Sequence, residues 1–249
     1  MKSTKIIGPI IVVIFWAIIS FTGITSSLLL PSPLEVGKSL FKIIFMPKDN
    51  VAFDIAYTSY RTILSFIFSC LAGIPLGLLM GYNVKVYNTF EVVVDFFRSI
   101  PAIALFPLFI LFLGIGEFSK LGVPFYGATL IIIVNSIYGV MNAPKLRRII
   151  GQLYGFSKFQ ILVKIVFPDS LPHVFAGMRI ALSLSLVLTI VVEMFTGANN
   201  GLGKRIYDFH LLFDISDMYA AIILTGLLGY FLNQGFLVLE RKIVHWADK

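Results

Sequence analysis

Three histidines, one glycine-rich stretch and a few charged side chains are the residues of this chain that could do chemistry. His173, His210 and His245 lie far apart and lack the spacing of metal ligands. The stretch GLGKR superficially resembles a phosphate-binding loop, but that pattern needs glycine where Ala198 stands and serine or threonine where Arg205 stands. The motifs GxSxG and HExxH do not occur. We therefore expect no catalytic residue, no metal site and no cofactor, so that any ATP hydrolysis linked to this protein takes place in another chain.

Four residues inside long apolar stretches are candidates for lining a conduit through a membrane. Arg98 lies just before Pro101, which lacks a backbone donor and therefore predicts a kink. Arg98 could instead sit at a membrane interface, paired with Asp95. Asn135 is a polar residue in an otherwise apolar stretch. Glu193 either faces the conduit or accepts backbone donors of the turn-rich segment TGANNGLG, because a carboxylate in a membrane needs a partner or water.

The composition indicates that membrane-spanning helices position these residues. Of the 249 residues, 58% are hydrophobic and 13% are charged, and the mean hydropathy is +0.92, which excludes a soluble globule. A bilayer core about 30 Å thick needs roughly 20 apolar residues per helix. We predict an all-α polytopic membrane protein with six transmembrane helices. The apolar stretches are residues 6–24, 62–82, 86–113, 121–142, 171–195 and 218–239.

The distribution of lysine and arginine predicts the orientation of these helices. The first stretch is long for a signal peptide and has no convincing cleavage site, so we interpret it as a retained anchor. With a cytoplasmic N-terminus, eleven basic residues lie inside and six outside, which favours both termini inside. The net charge of +7 is thus mainly a topology signal and does not indicate nucleic-acid binding. The eleven are Lys2, Lys5, Lys85, Lys145, Arg147, Arg148, Lys158, Lys164, Arg241, Lys242 and Lys249; the six are Lys38, Lys42, Lys48, Lys120, Lys204 and Arg205.

A row of glycines marks one face of the second apolar stretch. Gly73, Gly77 and Gly81 recur every four residues, and such a face lets helix backbones approach closely in membranes. The row either packs helices within the chain or forms a subunit interface or pore wall.

The polar loop, residues 145–173, interrupts the apolar pattern and carries five of the twenty basic side chains. Gly155 predicts a hinge, and Ser157 predicts the N-cap of a short helix through Val166. Pro168 and Pro172 predict that this helix ends there. A short, mostly apolar helix of this kind either lies in the lipid interface or docks into a groove on a soluble protein.

The polar loop resembles the EAA loop of bacterial ABC-importer permeases, whose pattern is EAA-x3-G-x9-I-x-L-P. Gly155 falls on the motif glycine, and Ile165 and Pro168 match in spacing, with Phe167 in place of leucine. The opening triad departs from the pattern, since Ile-Ile-Gly at 149–151 stands where Glu-Ala-Ala is expected. Because the glutamate is missing, an ion pair that the family makes there with its ATPase is not carried over to this chain by the resemblance.

Other segments resemble the nitrate/sulfonate/taurine-type permeases, a group that also includes bicarbonate and pyrimidine-precursor transporters. They are LLPSPLEV, GIPLGLLMG, RSIPAIALFPLFILFLGIGEFSK and VVEMFTGANNGLG. The resemblance implies a type I ABC importer permease fold in a prokaryotic cytoplasmic membrane. It also implies a homodimer of this chain, two cytoplasmic ATPase subunits and an extracytoplasmic solute-binding protein, which together move a small solute by alternating access.

The resemblance also divides the chain and implies which residues couple it to the ATPase. An N-terminal helix with an outer interfacial segment is expected over residues 1–60, a permease core over 61–241 and a cytoplasmic tail over 242–249. A stand-alone secondary transporter or channel is the alternative function, and a structural membrane protein without a conduit is a third. The expected coupling residues are Gly151, Gly155, Ser157, Phe159, Leu162, Ile165 and Pro168.

Overall fold

The computed structural model describes residues 4–22, 26, 28–45, 51–196 and 198–246, and within these ranges the chain forms helices and no strands. A 3₁₀ turn spans Ala102–Leu105, and a π-helical turn spans Leu162–Val166. The α-helices are α1 (Thr4–Phe21), α2 (Pro33–Phe45), α3 (Val51–Tyr82), α4 (Val84–Ser99), α5 (Phe106–Leu113), α6 (Glu117–Met141), α7 (Lys145–Leu153), α8 (Lys158–Ile161), α9 (Phe167–Phe195), α10 (Leu202–Leu211) and α11 (Ile215–Ile243).

Within the described residues, four continuous helices are long and apolar enough to cross a membrane, namely α3, α6, the run Lys158–Phe195 and α11. A fifth candidate span is broken, because α4 and the segment Ala102–Leu113 meet at an angle of 86°. The apolar part of α1, Ile7–Phe21, is shorter than these spans. The prediction of an all-α membrane protein is confirmed, whereas the count of six is not exact, since one span is bent and α1 is short.

The chain divides into two compact units, one of residues 1–57 and 193–228 and one of residues 58–192 and 229–249. The core of the second unit is built from large apolar side chains of α3, α6, α9 and α11. Phe66 and Phe175 both pack against Phe236, with ring centroids 5.8 and 5.7 Å apart, and Ala128 and Ile132 are fully buried beside them.

The glycine row of α3 lies against α6 in the second unit. A Cβ atom at Gly77 would stand 2.4 Å from the Cβ of Ser136 and 2.6 Å from the carbonyl oxygen of Ile133. At Gly81 it would stand 2.7 Å from the Cβ of Val140. The interpretation of the row as helix packing within the chain is therefore confirmed, because only hydrogen atoms fit between these two backbones.

Replacing Gly77 with alanine is expected to destabilise the protein by about 1–3 kcal/mol, because a backbone oxygen of α6 blocks the added methyl group. Thermal unfolding in detergent, followed by loss of the monodisperse peak, measures the effect. Gly235→Ala is the matched control, since a Cβ at that helical position meets nothing within 4 Å. Equal stability of the two variants would contradict the close packing of α3 on α6.

The first unit is held by polar contacts around the N-terminal helices. Trp16 donates through Nε1 to the carbonyl oxygen of Pro31 at 3.1 Å, and its ring stacks on Tyr219. Glu35 accepts the backbone N–H of Ser32 at 2.8 Å, a capping box that starts α2 directly after the Pro31 turn. Lys42 on α2 pairs with Asp217 on α11 at 3.0 Å. These contacts connect α1 and α2 to α11 within this unit.

Candidate functional site

The polar loop begins with α7, whose end is fixed by its backbone. Gly155 has φ +74°, and its N–H donates to the carbonyl of Gln152 at 2.9 Å. The N–H of Phe156 donates to the carbonyl of Gly151 at 3.0 Å. Together these two bonds form a Schellman motif, which ends a helix through a residue in the left-handed conformation. The predicted break at Gly155 is confirmed as the end of α7, but the helix that follows it is the long run Lys158–Phe195 and not a short one.

Replacing Gly155 with valine is expected to destabilise the polar loop by about 1–2 kcal/mol, because a β-branched residue disfavours positive φ. A Cβ there meets nothing within 4 Å, so the effect comes from the backbone conformation alone. Gly155→Asn is the matched control, since asparagine adopts this conformation more readily. Faster amide hydrogen exchange of residues 154–157 in the valine variant only is the expected result. Identical exchange in both variants would contradict it.

Ser157 starts the second short helix of the loop. Its Oγ accepts the N–H of Gln160 at 3.3 Å, and Oε1 of Gln160 accepts the N–H of Ser157 at 2.9 Å. This reciprocal capping box fixes the first turn of α8. The predicted N-cap at Ser157 is confirmed.

The prediction that Pro168 and Pro172 end this helix is wrong. The run Lys158–Phe195 continues through both prolines as α8, the π turn and α9. In the π turn the N–H of Phe167 donates to the carbonyl of Leu162, five residues back. Proline has no N–H to donate to the carbonyl four residues back, as an ordinary α-helix requires. The wider π turn just before Pro168 accommodates this missing bond without ending the helix.

Gly151 allows the two halves of the loop to pack on each other. It is buried, and a Cβ there would stand 2.5 Å from Cδ1 of Ile165. The same Cβ would stand 3.4 Å from Ile161, which is buried in a cluster with Val140, Ala143 and Val166 against which Leu162 packs. Gly151, Leu162 and Ile165 therefore hold the loop together, and Pro168 stands in the first turn of α9.

Three large apolar side chains of the polar loop are strongly exposed. Leu153, Tyr154 and Phe159 are 82%, 79% and 72% exposed, values that set them apart from the packed Leu162. We call these three residues the loop tip. Sequence reasoning singled out Phe159 but missed Leu153 and Tyr154, although the strong apolar periodicity of α7 was a signal that could have found Leu153.

The broken span places Arg98 and Pro101 beside a cavity of about 290 Å³. Ile100 and Pro101 are extended, with ψ values of 120° and 121°, between the end of α4 and the 3₁₀ turn. The predicted kink at Pro101 is confirmed by the 86° bend. We call this space the proline cavity; Tyr126 and Leu188 also line it.

Arg98 is the charged residue among the side chains that line the proline cavity. Its Nη1 donates to Oδ1 of Asp95 at 3.1 Å, and 49% of its side chain is exposed. Tyr126 donates through its hydroxyl to the carbonyl of Phe97 at 2.6 Å, next to Arg98. The cavity thus combines one cation, one hydroxyl and an apolar wall.

Asn135 lies at the crossing of α6 and α9 and does not line the proline cavity. Its Nδ2 donates to the carbonyl of Ile131 at 2.9 Å. A Cβ at Gly177 would stand 2.3 Å from the Cβ of Asn135, so α9 passes very close to this side chain.

Glu193 is 1% exposed and lies in the other unit, where it holds the turn-rich segment after α9. Its Oε2 accepts the N–H of Gly203 at 3.0 Å. Gly201 has φ +138°, and a Cβ there would stand 2.5 Å from the carboxylate carbon of Glu193. Of the two alternatives for Glu193, this geometry corresponds to acceptance of backbone donors.

Asp54 also holds the turn-rich segment after α9, and sequence reasoning missed this residue. Its Oδ1 accepts the N–H of Gly201 at 2.7 Å, and its Oδ2 pairs with Nη2 of Arg205 at 2.6 Å. The described residues contain no group of three or more His, Cys, Asp or Glu side chains that could hold a metal ion.

The sequence and the fold of this chain are similar to those of known transport proteins. Residues 73–245 match the family described as binding-protein-dependent transport system inner membrane component. The nitrate import permease protein NrtB of Synechocystis is 29% identical over 99% of this chain and 92% of its own length. The taurine transport system permease protein TauC of Escherichia coli is 26% identical over 98% of this chain and 90% of its own. An inward-facing structure of the MetNI methionine ABC transporter shares the fold, with a TM-score of 0.69, 23% identity, and coverage of 76% of this chain and 94% of that one.

Proposed function

Because the chain belongs to the family of inner membrane components of binding-protein-dependent transport systems, we propose that it is the membrane-spanning permease subunit of an ABC importer. Its partners are then a second copy of the chain, two cytoplasmic ATPase subunits and an extracytoplasmic solute-binding protein. Both termini are cytoplasmic in this proposal. Residues 1–60 form the N-terminal anchor and outer interfacial segment, 61–241 the permease core and 242–249 the tail.

The observation that carries the proposal is the loop tip. Three large apolar side chains stand exposed on a loop whose backbone is fixed by a Schellman motif and a capping box. Exposed apolar clusters mark interaction sites, and a short helix that enters a groove on a partner is a common recognition mode. The tip therefore suits a groove on a cytoplasmic ATPase. Gly151, Gly155, Ser157, Leu162, Ile165 and Pro168 shape the loop that presents it.

The proline cavity is the candidate pathway. Two copies of a chain around a two-fold axis can line a conduit that one copy cannot enclose. Arg98 supplies a positive charge and Pro101 shapes the bend, whereas Asn135 and Glu193, the other two candidates, are not among the residues that line this cavity. The relatives are named for nitrate and taurine, so we propose a small anionic solute of the nitrate, sulfonate, taurine, bicarbonate or pyrimidine-precursor class.

The mechanism is alternating access. When ATP closes the ATPase dimer, the docked loop tips move with it, and the run Lys158–Phe195 carries that movement into the membrane. Coupling of this kind needs different contacts in the two states of the transporter. In this proposal α7 and α8 move together, because the Schellman motif and the contact of Gly151 with Ile165 hold them to each other.

Co-purification and reconstitution test the function. The tagged chain is expected to bring down a cytoplasmic ATPase in equal number, and proteoliposomes that contain both are expected to take up solute only with ATP and the binding protein. Uptake by this chain alone would instead indicate a secondary transporter or channel and would contradict the proposal.

A further inference from the structure

A second cavity, of about 390 Å³, lies where α3 passes into α4 beside the polar loop. Tyr82 and Asn83 line it from the α3–α4 turn, and Arg148, Gln152 and Lys158 line it from the loop. We call it the basic cavity. Its volume falls within the range of about 300–1,000 Å³ that is typical of small-molecule sites.

The lining of the basic cavity carries two positive charges and no negative one. Arg148 and Lys158 are its charged residues. Asp169 pairs with Arg147 and Glu91 accepts the hydroxyl of Tyr87, and neither carboxylate lines the cavity. Among the described residues, neither Arg148 nor Lys158 has a carboxylate partner. Two uncompensated cations at one cavity favour an anionic ligand.

Arg148 is held in place but keeps a donor unused. Its Nη2 donates to the carbonyl of Val140, and its guanidinium lies 5.9 Å from the ring centre of Tyr82. Its Nε is buried and has no hydrogen-bond partner. Because this Nε has almost no accessible surface, an anion in the cavity would act on Arg148 through the charge of its guanidinium and not through the Nε donor.

The other side of the basic cavity is also suited to an anion. Asn83 caps α4, with its Oδ1 accepting the N–H of Lys85 at 3.0 Å, so the positive end of the α4 dipole lies at the cavity. Tyr82 donates through its hydroxyl to the carbonyl of Lys158 at 3.1 Å, which joins the turn to the loop. An anion here would contact α4, α7 and α8 together.

We propose that the basic cavity binds a phosphate-type anion that ties the polar loop to the start of α4. The orientation rests on the proposed function, which puts the loop on the cytoplasmic side. The cavity lies between the last residue of one candidate span, Val51–Tyr82, and the first residue of the next, the broken span that starts at Val84. In the proposed orientation, this turn between two spans is at the level of the lipid headgroups. Basic cavities between helices on that side bind anionic headgroups. The phosphate comes either from an anionic phospholipid or from free phosphate in the cytoplasm.

Lipid binding tests the first source. The full chain in nanodiscs of mixed phosphatidylglycerol and phosphatidylcholine is released into native mass spectrometry, and retained phosphatidylglycerol is counted. At about 1 kcal/mol per basic residue, Lys158→Gln is expected to weaken the binding constant for phosphatidylglycerol about fivefold and the pair Arg148→Gln with Lys158→Gln about 30-fold, measured over a series of phosphatidylglycerol fractions. Lys145→Gln with Lys164→Gln is the matched control, because it removes the same charge outside the cavity and should retain the lipid.

Phosphate titration tests the second source. Binding of inorganic phosphate to the same particles, made with phosphatidylcholine alone, is followed by phosphorus NMR line broadening. Broadening by the wild type and not by Lys158→Gln supports a free-phosphate site, and loss of phosphatidylglycerol in the variants supports a lipid site. If the control pair loses as much ligand as the cavity pair, or if neither ligand distinguishes wild type from Lys158→Gln, the proposal is overturned. Lys158 is exposed, so its variant should fold normally. These readouts do not depend on uptake, so the proposed function can fail separately.

Discussion

Replacing Phe159 with glutamate is expected to reduce ATP-driven uptake at least about 100-fold, while the protein still inserts and folds. The side chain is 72% exposed, so glutamate is harmless to the isolated chain. In a complex, the change removes about 1.5–3 kcal/mol of apolar burial and adds the larger cost of placing a charge in the partner's groove. Uptake into proteoliposomes and recovery of the ATPase in a pull-down measure the two consequences.

The control for this prediction is Phe159→Leu, which keeps an apolar side chain at the same position and should retain most of the uptake. If the glutamate variant took up solute at the wild-type rate, the assignment of Phe159 to the interface with the ATPase would be wrong. Leu162 is not an equivalent test. It packs against Val140, Ile161 and Val166, so a charge there would damage the loop itself and lower the stability of the chain without any partner.

Replacing Asp54 with alanine is expected to lower the free energy of unfolding by about 3–5 kcal/mol, the usual cost of removing one partner of a buried ion pair. The side chains of Asp54 and Arg205 are only 9% and 15% exposed. The change also removes the acceptor of the Gly201 N–H, in a segment whose backbone must keep φ +138°. Loss of the folded, monodisperse protein on heating in detergent measures the effect.

A second ion pair in the same unit provides the comparison. Lys204 pairs with Asp208 along α10, and both side chains are more than one third exposed. Exposed pairs contribute about 0–1 kcal/mol, so Asp208→Ala should change stability little. If the two alanine variants unfolded at the same temperature, the buried pair would have no special role in holding the turn-rich segment.

The sequence alone predicted the features that depend on neighbouring residues. The N-cap at Ser157, the break between helices at Gly155 and the kink at Pro101 each follow from a preference of one residue and its next few neighbours. The fold class followed from composition, because long apolar stretches leave few other possibilities. The glycine row of α3 could also be predicted, since a single helix face encodes it.

Features that depend on distant residues could not be predicted in this way. Asp54 and Arg205 are 151 positions apart, and nothing local to either marks the other as its partner. Whether Glu193 faces a conduit or accepts backbone donors depends on where Gly203 lies in space, and the local sequence does not determine that position. The continuation of the helix through Pro168 depends on a π turn, and the five-residue hydrogen-bonding pattern of such a turn has no clear sequence signal.

The helical run from Lys158 to Phe195 has 38 residues, which at 1.5 Å per residue corresponds to about 57 Å of helix. A π turn at Leu162–Val166 and the prolines Pro168 and Pro172 lie in its first half, and these are the places where a helix bends. Under the proposed function, a displacement of the loop at residue 158 enters the run through this bendable stretch, so the angle of the π turn decides how much of the displacement reaches the rest of α9.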